Sequence, residues 1–297
     1  MQAKDQHKAP GAVDAASKVH PRLARRPLRV AWRASASLAA TCGLFSTWAV
    51  GLLPVCWHPR LRAAWRRAIF RAWGRALCSL CGVRLVVVGR PPDEGAFLVC
   101  NHLSFVDIWV LAATTGGRFV SMAEVASWPL IGFMARSIGT IFIRRERRRD
   151  IPEVNRQIAR ALESGDTVLV FPEGGNSQGE SVRPFKPSLL EPVAANGHAV
   201  AWATLRYDTH DPDVPASWAV CWVQSAFAAQ LARLLSLPAV EARIVFGSGR
   251  EHDGDRKQLA ARLERHVAAA FAPMAPPPEG WREAPLVHGL ARRDDSA

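Results

Sequence analysis

His102 and Asp107 stand five residues apart in the run Asn101-His102-Leu103-Ser104-Phe105-Val106-Asp107, which follows the apolar stretch Phe97–Cys100. Such a stretch reads as a strand, so His102 emerges at its end and Asp107 falls in the first turn of the next helix. A neutral imidazole, with an ordinary pKa of about 6.5, takes a hydroxyl proton at neutral pH; a carboxylate on its other nitrogen fixes the tautomer and stabilises the imidazolium. Ser104 lies two residues from His102 but in no Gly-x-Ser-x-Gly elbow. The pair therefore reads as activating a substrate hydroxyl directly, without a protein nucleophile.

Two further clusters close apolar runs. Phe171-Pro172-Glu173-Gly174-Gly175-Asn176-Ser177 follows residues 167–170, which places Glu173 at a strand's carboxyl end and gives the backbone two glycines with which to turn closely around a ligand. Gly139-Thr140-Ile141-Phe142-Ile143-Arg144-Arg145 ends a strand in adjacent guanidiniums suited to phosphate, with Arg147, Arg148 and Arg149 extending the charge.

The elements that must carry these clusters alternate. Short β-branched runs at residues 83–88, 97–100, 119–122, 140–143, 167–171, 199–207 and 240–246 predict strands. Helical patterns fill residues 105–113, 129–137, 151–164, 185–195, 223–236 and 256–271. This alternation predicts a layered α/β domain with a mixed sheet over residues 81–272, followed by a Pro-rich tail at 273–297. No Walker loop or Gly-x-Gly-x-x-Gly follows any strand, so nucleotide binding of those kinds is not supported.

The net charge of +12 is concentrated at one end: residues 1–75 hold 14 Lys and Arg against 2 Asp, and the rest balances at 24 of each sign. With 49% hydrophobic residues the chain is no disordered polymer, and a charge excess interrupted by an apolar stretch does not read as a nucleic-acid surface. Residues 34–59 lack any charge, and 38–57 approach the roughly 20 apolar residues that a bilayer-spanning helix needs. Arginines flank both ends of this stretch, so a re-entrant hairpin broken near residues 51–54 is expected, with both clusters on the anionic cytoplasmic leaflet. Leu61, Trp65, Ile69, Trp73, Leu77 and Leu80 recur at helical spacing with Arg62, Arg66, Arg67, Arg71 and Arg75 on other faces, which predicts a helix in the membrane interface. The arm thus divides into a basic, flexible segment at 1–33 and a membrane-associated segment at 34–80. Six cysteines without dense spacing fit a reducing compartment, and Cys78 and Cys81, among Leu77, Leu80 and Val83, read as buried core thiols rather than metal ligands.

In order and spacing the three clusters resemble the glycerolipid acyltransferases typified by 1-acylglycerol-3-phosphate O-acyltransferase. Asn101, His102 and Asp107 match that family's NHxxxxD; Gly139, Phe142 and Arg145 match GxxFIxR; Phe171 to Gly174 with Ser177 match FPEGTRS. The resemblance implies His102 as general base, Asp107 as its partner, and Asn101, Ser104, Gly139, Phe142, Arg144, Arg145, Glu173, Gly174, Gly175 and Lys186 as substrate-binding residues. It further implies a membrane-associated enzyme on the cytoplasmic face that takes acyl groups from acyl-CoA or acyl carrier protein to a lysolipid acceptor, without metal or bound cofactor. The favoured acceptor is 1-acyl-sn-glycerol-3-phosphate. Gly175 and Asn176 replace the Thr-Arg of the third motif, Arg144 occupies a usually acidic position, and Trp202 stands at the first Pro of the fourth motif. These departures keep two alternatives open: a lysolipid such as lyso-ornithine lipid, and a non-catalytic membrane-surface protein.

Overall fold

The computed structural model describes residues 26–55, 57–128, 131–144, 151–222 and 226–276. Two helices, α1 (Pro27–Val55) and α2 (Pro59–Cys81), precede β1 (Val83–Val88) and β2 (Phe97–Cys100). Next come α3 (Val106–Thr115), β3 (Arg118–Met122), α4 (Ile131–Ser137), β4 (Ile141–Ile143), α5 (Ile151–Glu163) and β5 (Val168–Val170). The remainder is α6 (Glu191–Ala195), β6 (Val200–Asp208), α7 (Ala216–Ala219), α8 (Phe227–Ser236), β7 (Val240–Glu251) and α9 (Arg256–Ala270). The strands form one mixed sheet in the order β1-β7-β6-β2-β5-β3-β4, in which only the β6–β7 pairing is antiparallel.

All four residues of β2 are buried, as a central parallel strand covered on both faces requires. Its alternate side chains enter two cores: Leu98 and Cys100 pack with Phe70, Trp73 and Val110 of α2 and α3, while Phe97 and Val99 pack with Ile158 of α5 and Leu259 and Leu263 of α9. Because β2, β4, β5 and β6 run in parallel, the residues that follow them emerge along one edge of the sheet. Ligands of open α/β sheets bind outside this carboxyl edge.

The sequence-predicted helix at 185–195 divides into a 3-10 turn, Pro187–Leu189, and α6, because Pro187 and Pro192 each supply a helix start and no amide donor to a preceding turn. Four cysteines, 78, 81, 100 and 221, are buried free thiols, in line with the core reading of the Cys78–Cys81 pair; burial above all pushes Cys78 up to about 12.

The arm differs from the sequence expectation in three respects. First, α1 is continuous through residues 51–54: Gly51 marks a close approach, its added Cβ falling 2.3 Å from the Trp65 ring, and Pro54 sits in the last turn where it is tolerated. The reversal lies instead between α1 and α2. Second, helix begins at Pro27, inside the segment expected to be flexible, because Arg29 and Arg33 donate to the carbonyls of Leu235, Ser236, Leu237 and Pro238 at the end of α8. Third, the apolar face of α2 meets the protein's own core, with Phe70, Trp73 and Leu77 buried, so that face does not lie in a membrane interface. Arg66 and Arg67 are buried too and converge with Arg118 on Asp166 at 2.5, 3.3 and 2.5 Å. The residues of the tail at 273–276 are pinned by Met274, whose N–H donates to Gly179, and by the Ala275 carbonyl, which accepts from Ser217; the rest of the tail and residues 1–25 lie outside the described residues.

Candidate active site

The turn between β2 and α3 brings His102 back onto Asp107, and Nδ1 of the ring lies 2.7 Å from Oδ2 of the carboxylate. The same oxygen accepts the N–H groups of Leu103 at 2.7 Å and Ser104 at 2.9 Å, while Oδ1 accepts the Tyr207 hydroxyl at 2.6 Å. Asp107 is fully buried, whereas the His102 side chain is 18% exposed. The carboxylate on Nδ1 fixes the tautomer with the proton on that nitrogen, which leaves Nε2 as the proton acceptor on the other side of the ring. Among the described residues no group occupies Nε2. Phe171 stacks on the imidazole at 3.9 Å and 9°, and so holds the ring plane.

Glu173 follows β5, the strand beside β2, and meets the histidine loop from the side. Its Oε1 accepts the His102 N–H at 2.8 Å and its Oε2 the Arg183 N–H at 3.1 Å, with the residue 1% exposed. Both oxygens accept from backbone, so the carboxylate braces the histidine loop while it also lines the cavity described below. The expectation of a substrate contact at Asn101 is corrected, since its amide exchanges bonds with both backbone groups of Leu205 on β6. Ser104 is buried with its hydroxyl on the Val220 carbonyl at 2.7 Å, so it is neither nucleophile nor substrate ligand. Asn101 and Glu173 hold the histidine loop to the sheet on either side of β2, and Ser104 ties it to the residue after α7.

Burial above all pushes the Glu173 carboxyl up to about 7, with negative Asp107 adding to the shift and the two N–H donors opposing it. A folded pKa above the ordinary 4.5 means that this group's contribution is complete below pH 4.5 and is lost as pH rises through about 7. Denaturant unfolding should therefore show wild type losing roughly 2 kcal/mol between about pH 5 and pH 8 relative to Glu173→Gln, which carries no titrating group. Parallel curves for the two proteins would count against the shift.

Gly174 has a φ of +72°, and a Cβ there would stand 2.8 Å from the Lys186 Nζ, so Lys186 lies directly across the turn. Gly175 faces a guanidinium nitrogen of Arg183 at 3.5 Å from its would-be Cβ, and that nitrogen donates to the Asn176 carbonyl at 3.1 Å. Arg183, Lys186, Arg256 and Lys257 line an open cavity of about 630 Å³ with Glu173 at its edge. Arg183, Arg256 and Lys257 are not singled out by sequence: Arg183 lies six residues past Ser177, and Arg256 and Lys257 open α9, outside all three clusters.

The second cluster is set apart. Gly139, with φ +78°, ends α4 against Arg118, Phe142 is half-buried on β4, and Arg144 is exposed at that strand's end. β4 lies three strand spacings from β2, about 14 Å, so these residues do not join the His102 cluster directly. Arg145 and Arg147 to Arg149 lie outside the described residues.

Comparison with known proteins agrees with this geometry. The profile of the family described as Acyltransferase matches residues 85–216. The 1-acyl-sn-glycerol-3-phosphate acyltransferase of Neisseria meningitidis is 30% identical over 204 residues, 67% of this chain and 79% of that protein. The lyso-ornithine lipid O-acyltransferase of Rhodobacter capsulatus is 33% identical over 259 residues, 84% of this chain and 92% of that protein. The fold is shared with the crystal structure of the 1-acyl-sn-glycerophosphate acyltransferase PlsC from Thermotoga maritima, with a TM-score of 0.51 and 17% identity over 82% of this chain and all of that one. A buried carboxylate behind a half-open imidazole, on a sheet of this topology and in a sequence with these relatives, places the chain in the acyltransferase family that includes the 1-acyl-sn-glycerol-3-phosphate and lyso-ornithine lipid acyltransferases.

Proposed function

We propose that the enzyme moves a fatty acyl group from acyl-CoA or acyl carrier protein to the hydroxyl of a lysolipid, with 1-acyl-sn-glycerol-3-phosphate as acceptor and phosphatidate as product. The observation that carries the reading is the free Nε2 of His102 beside the buried Asp107 carboxylate, with no protein nucleophile at hand among the described residues. Nε2 takes the acceptor's hydroxyl proton as its oxygen attacks the thioester carbonyl. The tetrahedral intermediate then expels the thiolate, which takes the proton back from the imidazolium as the C–S bond breaks.

A phosphate acceptor is supported by the four cations around the cavity beside Glu173. With labelled acyl donor and lysophosphatidate, lyso-ornithine lipid and glycerol-3-phosphate offered in parallel, label should enter phosphatidate. Arg183→Ala should then raise the KM for lysophosphatidate about tenfold with little change in kcat, as loss of a ground-state contact does. Labelling of lyso-ornithine lipid alone would reject the phosphate acceptor. That second reading is favoured by Gly175-Asn176 in place of Thr-Arg and by the wide coverage of the Rhodobacter relative.

Membrane contact is assigned to α1, the one helix among the described residues long and apolar enough to cross a bilayer. It runs along α2, with the Trp48 carbonyl accepting from the Trp65 indole, Gly51 against the same ring and the Thr41 hydroxyl accepting from Trp73, which favours insertion into one leaflet over a crossing. Exposed Leu28, Trp32, Leu38, Val50 and Leu53 fall within about 120° of one another around the helix, one apolar face for that leaflet, which we take to be the cytoplasmic one. Extraction from membranes should need detergent; release by high salt would reject the inserted stripe.

A further inference from the structure

We infer that Tyr207, the only tyrosine in the chain, is a positioning residue for acyl transfer: its phenol holds the Asp107 carboxylate in the orientation that presents Oδ2 to His102. The inference rests on His102 as the base and carries that reading one residue further.

The two oxygens of Asp107 are served from different parts of the fold. Oδ2 takes its three contacts, from His102, Leu103 and Ser104, within the loop that carries the histidine itself. Such bonds tie the carboxylate to the loop but move with it. Oδ1 takes the Tyr207 hydroxyl from β6, 100 residues away and hydrogen-bonded directly to β2. This bond refers the carboxylate, and through it the imidazole, to the sheet. Other bonds brace the same loop, among them Asn101 to Leu205, Glu173 to the His102 N–H, Ser104 to the Val220 carbonyl and the Ser177 N–H to the His102 carbonyl, but none of these reaches the carboxylate.

The phenol is suited to a permanent donor role. Tyr207 is 1% exposed and Asp107 0%, so a phenol turned away would leave a buried polar group unpaired. Burial above all, with the charge of Asp107 and the bond to it, pushes its pKa well above the usual phenol value. The other titratable groups facing this pair are Cys78 from α2, Cys100 from β2, Cys221 after α7 and Glu173 after β5. Burial pushes the three thiols up, leaving them neutral near pH 7. Glu173 titrates near 7 and is common to every protein compared below, so differences between them do not arise from its removal.

Without the phenol, the negative charge of Asp107 is less dispersed and holds the imidazolium more tightly. Tyr207→Phe should lower kcat about tenfold and move the acid limb of kcat/KM upward by about half to one pH unit. Growth on 3-fluorotyrosine replaces this one phenol with a more acidic donor and should move the limb the opposite way, with the fold retained. A limb unmoved by Tyr207→Phe, or moved in the same direction by both changes, would make Tyr207 a packing residue only and overturn the inference. The fluorinated protein keeps the test decisive if the Phe variant fails to fold. His102→Ala, assayed alongside, separates the two levels: substantial turnover there removes the base itself, whereas an inactive His102→Ala beside an unshifted Tyr207→Phe removes only the role of the tyrosine.

Discussion

His102→Ala is expected to lower kcat by roughly 10²- to 10⁴-fold, the range for loss of a positioned general base, while the protein remains folded. Stability should change little because the side chain is partly exposed, and the loop is held by backbone bonds that survive truncation: Glu173 to the residue 102 N–H and Ser177 N–H to the residue 102 carbonyl at 2.9 Å. The imidazole loses its stack on Phe171 and its bond to Asp107, both at the rim of the core. Turnover measured with saturating acceptor, together with an unchanged thermal transition, checks the assignment. A variant that keeps most of its turnover would leave the geometry without a base and would force a different proton acceptor.

Asp166→Ala is expected to destabilise the fold by about 3–5 kcal/mol, the cost of breaking a buried ion pair from one side. Asp166 is wholly buried, and it is the carboxylate on which Arg66, Arg67 and Arg118 converge. Burial above all draws the Arg66 guanidinium down to about 10, with Asp166 opposing that shift, so removal of Asp166 strands a cation already disfavoured by its surroundings. Arg67 has a second partner, Glu94 at 2.9 Å, whose side chain is 65% exposed. Glu94→Ala should therefore cost less than about 1 kcal/mol, as exposed pairs do. Urea midpoints at constant m-value distinguish the two variants. Equal, small losses would show that water replaces Asp166 at little cost.

The parts of the fold legible in the sequence were those set by local pattern. β1 and β2 occupy the residues predicted for them, because short β-branched or apolar runs bounded by Gly, Pro and Asn leave little choice of boundary. The His102–Asp107 pair was legible for the same reason: its members share one turn, and the contact follows from their spacing. What escaped depends on chain segments far apart in sequence. Tyr207 meets Asp107 across 100 residues, and Arg66 meets Asp166 across the same separation; neither partner carries a local mark. The family resemblance implies substrate contacts at Asn101 and Ser104, and only their burial and backbone partners, which no motif encodes, identify them as scaffold.

The arm shows a different limit. Helical spacing correctly made residues 61–80 amphipathic, but the same period puts Arg66 in line with Phe70, Trp73 and Leu77, and a pattern of apolar residues alone says nothing about whether lipid or protein covers the stripe. The nearby Gly51 was expected to interrupt a helix; the structure uses its missing side chain to admit the Trp65 ring.

Arg29 and Arg33 clamp the first turns of α1 to the end of α8, and Trp48 receives Trp65 farther along. A helix secured at two separated points has no swivel. Whatever tilt α1 adopts is shared with α2 and the end of α8, and a flexible insertion ahead of α2 would act as a disengaged clutch between them.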